Sequence, residues 1–284
     1  MKKFFLLPLV LFGTLVSAQQ LPTPSSLAAV EQRIGLTDIR VEYHRPNVNK
    51  REIFGAMVPM NQIWRTGANK ATSVRFSTEV NILDNVIPAG TYSLFSVPSN
   101  DNWTIILNTA TELWGTGNYK EENDVLRITV PVASTTPTES FSITFENIAR
   151  ANGEMCLSWA TTKVCIPIQV DVDAKALENI KAAVAAEPEN WSVLRNSAAY
   201  YMDNEIDMAK ALAWMQKSVE LKGDNWYSLY LLGRAYHLNA DRKNAVKTGK
   251  SALELYRAQI KESNAPATYE PMLTEAIETW GKKK

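Results

Sequence analysis

Two periodicities and one change of texture predict a two-domain α+β protein: an antiparallel β-sandwich or barrel followed by an all-helical unit. From about Leu27 to Val170, apolar residues alternate with polar ones and short runs are punctuated by Gly, Pro, Asn and Asp. Alternation of that kind marks half-buried strands, and many short runs with frequent turn signals indicate a sandwich or barrel. After Asp173, Ala, Leu, Glu and Lys dominate and the period becomes helical. The sequence therefore divides into 1–18, an export signal; 19–25, a flexible leader; 26–171, the β domain; and 172–284, the helical domain.

The signal is expected from Lys2 and Lys3, the apolar run Phe4 to Leu11 continuing to Val16, and the small residues of Val16-Ser17-Ala18. Its core of about a dozen residues is short against the roughly 20 that cross a bilayer. Cleavage is expected near Gln19, with no membrane span afterwards, placing the protein in the periplasm or outside the cell. The chain of 284 residues carries 30 Lys+Arg and 30 Asp+Glu. Nucleic-acid binding, which needs a basic excess on one face, is not expected.

Within the β domain, Val30 and Ile34, then Ile39, Val41 and Tyr43, open the alternation. Further strands are expected at Ser73–Phe76, Val80–Leu83, Tyr92–Val97, Trp103–Asn108, Val125–Val132, Phe141–Ile148 and Met155–Val170. Asp84-Asn85 is the expected tight turn of one hairpin, since both residues tolerate positive φ. Cys156 and Cys165 flank Ala160-Thr161. A tight turn there would set 156 opposite 165 in a non-hydrogen-bonded pair, with Cα atoms roughly 4.5 Å apart, which a disulfide spans. A disulfide suits an exported chain; a longer loop, another register or two free thiols are the alternatives.

"WRTGANKAT", residues 64–72, concentrates the question of function. Gly67 and Asn69 are turn-formers and Trp64 is an anchor. Arg65 is not explained that way: a guanidinium beside an anchored ring offers five donors suited to a carboxylate, a phosphate or a sugar hydroxyl pair. Arg45 and Arg51 supply further cations, and Trp114 and Tyr119 supply rings on a glycine-containing loop. The candidate ligand site is Arg45, Arg51, Trp64, Arg65, Asn69, Trp114 and Tyr119, for an anionic or glycan-like ligand. The competing reading is internal ion pairing of these bases with Glu42, Glu52 or Asp124.

Read in order, "VEYHRPNVNKREIFG", "WRTGANKAT", "IPAGTYSLFSVP", "WTIILN" and "WGTGNYKEENDVLRITV" resemble the exported family catalogued as domain of unknown function 2911, over most of residues 26–170. The resemblance implies no activity, and it implies helical repeats behind the β domain. His44 stands where that family usually shows a small residue before Arg45-Pro46, so essential chemistry is not expected of it.

In the helical domain, Trp191-Ser-Val-Leu194 recurs as Trp226-Tyr-Ser-Leu229, and Ala211 with Ser218 recurs as Ala245 with Ala252. The offsets resemble tetratricopeptide repeats, helix-turn-helix units of about 34 residues. That likeness implies a protein- or peptide-binding groove lined by Arg195, Met202, Tyr227, Tyr230, Arg234 and His237. The alternative is that the repeats brace the β domain and that the last helix, about 268–280, fills their inner face.

Signatures of catalysis are missing. Two histidines in different domains make no metal spacing, and there is no nucleophile elbow, phosphate-cradling loop or dinucleotide fingerprint. No metal and no cofactor are expected. The sequence points first to a non-catalytic binding protein, with an envelope hydrolase using carboxylates such as Glu42 or Asp124, or a structural assembly factor, as the rivals.

Overall fold

The computed structural model describes residues 22–282, so the expected signal, 1–18, lies outside the described residues. The chain forms two compact units, one running to Val172 and the other starting at Asp173.

The first unit is a nine-stranded antiparallel sheet: β1 (Ser26–Ile34), β2 (Thr37–Arg45), β3 (Thr72–Phe76), β4 (Val80–Ile82), β5 (Asn85–Ile87), β6 (Gly90–Val97), β7 (Asn102–Asn108), β8 (Asp124–Glu146) and β9 (Asn152–Gln169). The spatial order is β1-β2-β3-β6-β7-β8-β9-β4-β5. β8 makes the fold three-dimensional. Its first part pairs with β7, from Asn108↔Asp124 to Asn102↔Pro131, and the rest pairs with β9, from Val132↔Val164 to Glu146↔Glu154. The chain leaving β2 then closes onto the far part of β8: Phe141 N donates to Pro46 O at 2.9 Å and Val48 N to Glu139 O at 2.8 Å.

Alternation puts one side of each strand inside. Ile39, Val41 and Tyr43 of β2, with Val74 and Phe76 of β3, are buried, while Asp38, Arg40 and Glu42 are exposed. The centre is aromatic. Trp64 lies 5.4 Å from Phe141, 5.9 Å from Trp103, 5.9 Å from Trp159 and 6.2 Å from Phe54, ring centre to ring centre. Such large rings dominate core burial, and their edge-on contacts add to it.

The β4–β5 turn is shifted by one residue from the sequence expectation. Ile82 pairs with Asn85, so the turn is Leu83-Asp84, with φ of 48° and 64°. This register sets Val80 opposite Ile87, both buried, and lets the Asn85 amide donate to the Ile82 and Leu83 carbonyls. Burial and that cap outweigh the turn preference of the Asp-Asn pair.

Cys156 and Cys165 form a disulfide with Cα atoms 4.1 Å apart across a sequence separation of 9. Nine extended residues would span roughly 30 Å, so β9 doubles back on itself between them. Ala160, at φ 51°, stands within that reversal.

The helices, all in the second unit but for the first residue of α1, are α1 (Val172–Ala186), α2 (Trp191–Asp203), α3 (Met208–Leu221), α4 (Trp226–Leu238), α5 (Arg242–Ser263) and α6 (Glu270–Gly281). Four of these helices begin at side-chain caps: Asn190, Asp207, Asn225 and Asp241 accept from backbone amides of the first turn. Caps of this type stabilise a helix by about 1 kcal/mol each. No helix among the described residues is long and apolar enough to cross a membrane.

Candidate functional site

Loop 64–72 is built mostly by its own polar groups. Trp64 exchanges backbone hydrogen bonds with Ser96 at 2.7 and 2.9 Å, and its indole Nε1 donates to Gly67 O at 3.1 Å. Thr66 Oγ1 meets Ser96 Oγ at 2.9 Å, and Thr72 Oγ1 donates to Thr66 O. Thr66 and Asn69 adopt left-handed φ of 52° and 57°. A Cβ on Gly67, at φ 152°, would lie 3.1 Å from both His44 O and Thr72 Oγ1. These residues are therefore architecture, though the Asn69 side-chain amide makes no hydrogen bond among the described residues.

Arg65 is different. It is half-buried, and its Nε is buried with no hydrogen-bond partner. Desolvation lowers its pKa from the usual arginine range, and no carboxylate offsets this. The acids considered as partners are committed elsewhere or do not reach it. Glu42 Oε2 accepts from Arg40 at 3.2 Å. Asp124 Oδ1 accepts from Asn108 Nδ2 at 2.7 Å, and Oδ2 from Tyr119 Oη at 2.6 Å and Arg127 Nη2 at 2.9 Å. Glu52 forms no ion pair among the described residues. A buried donor without a partner costs about 1–3 kcal/mol, a cost that an acceptor arriving from outside would offset.

The wall beside Arg65 is the segment around Trp114. Lys70 bridges to Trp114 in antiparallel fashion, Ala71 N donates to Leu113 O at 2.9 Å, and Lys70 Nζ pairs with Glu112 at 2.8 Å. This brings Gly115 to the guanidinium: a Cβ built there would stand 3.7 Å from Arg65 Nη1. Trp114 itself is 74 % exposed. Tyr119, expected as a second open ring, turns inward instead. Its ring meets Phe95 at 5.1 Å and its hydroxyl joins the Asp124–Arg127 network, so burial first, then Asp124, raises its pKa above the usual tyrosine range. Tyr119 pins the loop that carries Trp114.

Arg45 and Arg51 are satisfied from within. Arg45 donates to Phe141 O and Ser142 Oγ, both at 2.9 Å, and Arg51 donates to Val48 O at 3.1 Å and Asn47 O at 2.6 Å. Arg45 staples the closure between β2 and β8, and Arg51 ties the loop that follows β2. The structure thus sets the Arg65 guanidinium beside Gly115, next in sequence to the exposed Trp114, while Trp64 and Asn69 belong to the loop that carries Arg65. Gly115, at φ 81°, was identifiable in the sequence only as one of two loop glycines.

A family described as "Protein of unknown function (DUF2911)" matches residues 25–168, just over half of the chain. The chain belongs to this DUF2911 family. No curated protein matches it. Everything in the Trp64–Arg65–Trp114 arrangement falls inside the DUF2911 match, as does the Cys156–Cys165 disulfide, whereas the helices fall outside it. Glu154 lies with the two cysteines in a cluster whose ligand atoms are within 4.8 Å of one another. With the sulfurs bonded to each other, that cluster is a covalent staple in the DUF2911 domain.

In the helical unit the residues expected along the groove differ in exposure. Met202 is 2 % exposed and belongs to the core, a correction to its expected place on an open face. It lies four residues before Ile206 at the end of α2, where α3 and α4 meet it. Arg234 Nη1 pairs with Asp203 at 2.5 Å. Trp280 of α6 stacks on Tyr230 at 5.7 Å and on His237 at 6.1 Å. Close packing is possible because Gly233 and Gly249 lack side chains: a Cβ on either would fall 2.6 and 3.0 Å from Trp280 Cζ3. Arg195 and Tyr227 stay accessible, with the Arg195 guanidinium 4.9 Å from the Trp191 ring and 5.8 Å from that of Tyr227. A separate groove, about 650 Å³, opens among α1, α2 and α3, lined in part by Tyr201, Lys210 and Trp214. Repeat spacing carried no signal for it.

Proposed function

We propose that this protein is an exported, non-catalytic binding protein whose DUF2911 domain holds an anionic group on Arg65 beside Trp114. The group is a carboxylate or phosphate, carried on a sugar or glycan fragment whose ring stacks on Trp114. One observation carries the reading: a half-buried guanidinium with a buried, unpartnered Nε and no carboxylate in reach. Trp64 holds the loop, Asn69 contributes an uncommitted amide, and Gly115 leaves room for the ligand. Export is supported by the N-terminal pattern of Lys2, Lys3 and the following apolar run, together with the disulfide. The helical unit, resembling tetratricopeptide repeats, docks a protein partner.

The two carboxylates named for the hydrolase alternative are engaged within the fold, Asp124 by three donors and Glu42 by Arg40, which supports the binding reading over it. The test is a thermal-shift series with glucuronate, galacturonate, muramyl dipeptide and inorganic phosphate, with glucose as the neutral control. Acidic compounds are expected to raise the wild-type midpoint and leave Arg65→Met unmoved. Equal shifts in both proteins, or none with any acid, would remove the site.

A further inference from the structure

The helical unit carries an open groove that the inner-face reading does not use. Its floor is apolar: Leu177 and Val184 come from α1, and Tyr201, Ile206 and Trp214 from α2, the turn after it and α3. α1 buries a single residue, Ala176, where α2 buries Leu194, Ser197, Ala198 and Met202. Leu177, Val184 and Ala185 of α1 line this groove and stay outside the buried core. Ile206, 41 % exposed, adds to the same floor.

The rim is basic. Lys181 and Lys210 both line the groove, and neither forms an ion pair among the described residues. The one acid of the rim, Glu178, is taken by Lys175 at 2.8 Å. The nearby Asp207 is committed to capping α3, accepting from Lys210 N at 2.9 Å. Lys210 Nζ hangs 4.9 Å from the centre of the Trp214 ring and 5.7 Å from that of Tyr201, and the two rings meet edge-on at 4.9 Å. A volume of about 650 Å³ lies within the roughly 300–1,000 Å³ usual for binding clefts.

An apolar floor under two uncompensated ammonium groups selects a complementary chain: an apolar side chain flanked by carboxylates. We infer that the α1–α3 groove docks an acidic peptide segment of a partner protein, with its apolar residue between Tyr201 and Trp214 and its carboxylates on Lys181 and Lys210. The inference assigns a face and a chemistry to the partner of the helical unit, and it does not depend on the anion site at Arg65.

The experiment uses the full processed chain and a phage-displayed random dodecapeptide library, selected in parallel on wild type and on the Lys181→Glu/Lys210→Glu double variant. Enriched sequences are then measured as fluorescein-labelled peptides by anisotropy. Wild type is expected to enrich peptides with Leu, Ile or aromatic residues bracketed by Asp or Glu. Their affinity should fall about tenfold in the double variant, two exposed charge pairs acting together, and should weaken as salt is raised. If the double variant melts earlier than wild type, Lys181→Gln and Lys210→Gln, each tested singly, carry the comparison, with smaller losses expected. Failure to enrich any peptide overturns the inference. So do enrichment without acidic bias, affinity indifferent to both lysines, and binding lost on Arg195→Glu instead.

Discussion

Replacing Arg65 by Met separates a binding guanidinium from a structural one, because the two roles predict opposite signs. The Met side chain retains an apolar stem about as long as that of Arg65 but carries neither charge nor donor. Removing the unpartnered Nε recovers part of the roughly 1–3 kcal/mol that a buried, unsatisfied donor costs. Allowing for the partial exposure of the guanidinium, ligand-free Arg65→Met should be about 1 kcal/mol more stable than wild type. For a unit of this size that is roughly 2–4 °C in midpoint. Ligand reverses the order: at a hundred times its dissociation constant it stabilises wild type by about 2.7 kcal/mol and the variant hardly at all. Urea unfolding followed by tryptophan fluorescence, with and without the best acidic sugar from the thermal series, reads both legs. A ligand-free Arg65→Met protein less stable than wild type by 1 kcal/mol or more would refute the reasoning, since the guanidinium would then be a structural contact.

Three further outcomes are expected. Cys156→Ser with Cys165→Ser opens a loop of separation 9, and the chain-entropy relation puts the loss at about 2.6 kcal/mol; an unchanged denaturation midpoint under oxidising conditions would contradict it. Gly249→Ala should destabilise the helical unit by about 1–3 kcal/mol through overpacking, because its Cβ would fall 2.8 Å from Ile277 Cγ1 and 3.0 Å from Trp280 Cζ3; calorimetry of the single variant checks this. The hydrogen bond from Lys163 first, then that from Thr144, holds the Glu146 carboxyl below the usual glutamate range, against its own desolvation. A depressed folded-state pKa means stability present above the unfolded value and lost as pH falls through the folded one. Glu146→Gln should therefore cost a few tenths of a kcal/mol near about pH 7, as befits a pair 25 % and 39 % exposed, and progressively less as pH falls below the usual glutamate range; a deficit that does not shrink in acid would show that charge is not its source.

The turn at Leu83-Asp84 shows where local reading stops. Two residues that tolerate positive φ marked a hairpin, yet burial of Val80 against Ile87 chose the register. Met202 makes the same point in a helix: its place on an expected groove face is a core position, because neighbouring helices decide which side of a repeat stays open. Tyr119 and Trp114 share one loop in sequence, but Phe95 and Asp124 draw the first inward and leave the second exposed.

By itself, the sequence determined the quantities that repeat along a chain. Alternation declared the antiparallel sheet, its replacement by a helical period declared the second fold class, and two cysteines nine residues apart made a disulfide the expected pairing, though the residues between them pair with β8 rather than forming the tight turn expected at Ala160-Thr161. Each depends on residues close together in sequence, whose side-chain period follows from backbone geometry alone. Tertiary structure decided which charges are used. Arg45, Arg51 and Arg65 are equivalent as letters, and only what the folded chain sets around each guanidinium distinguishes them. Arg45 finds acceptors on Phe141 and Ser142 and Arg51 on Asn47 and Val48; Arg65 stands beside Gly115, and its buried Nε is left without a partner.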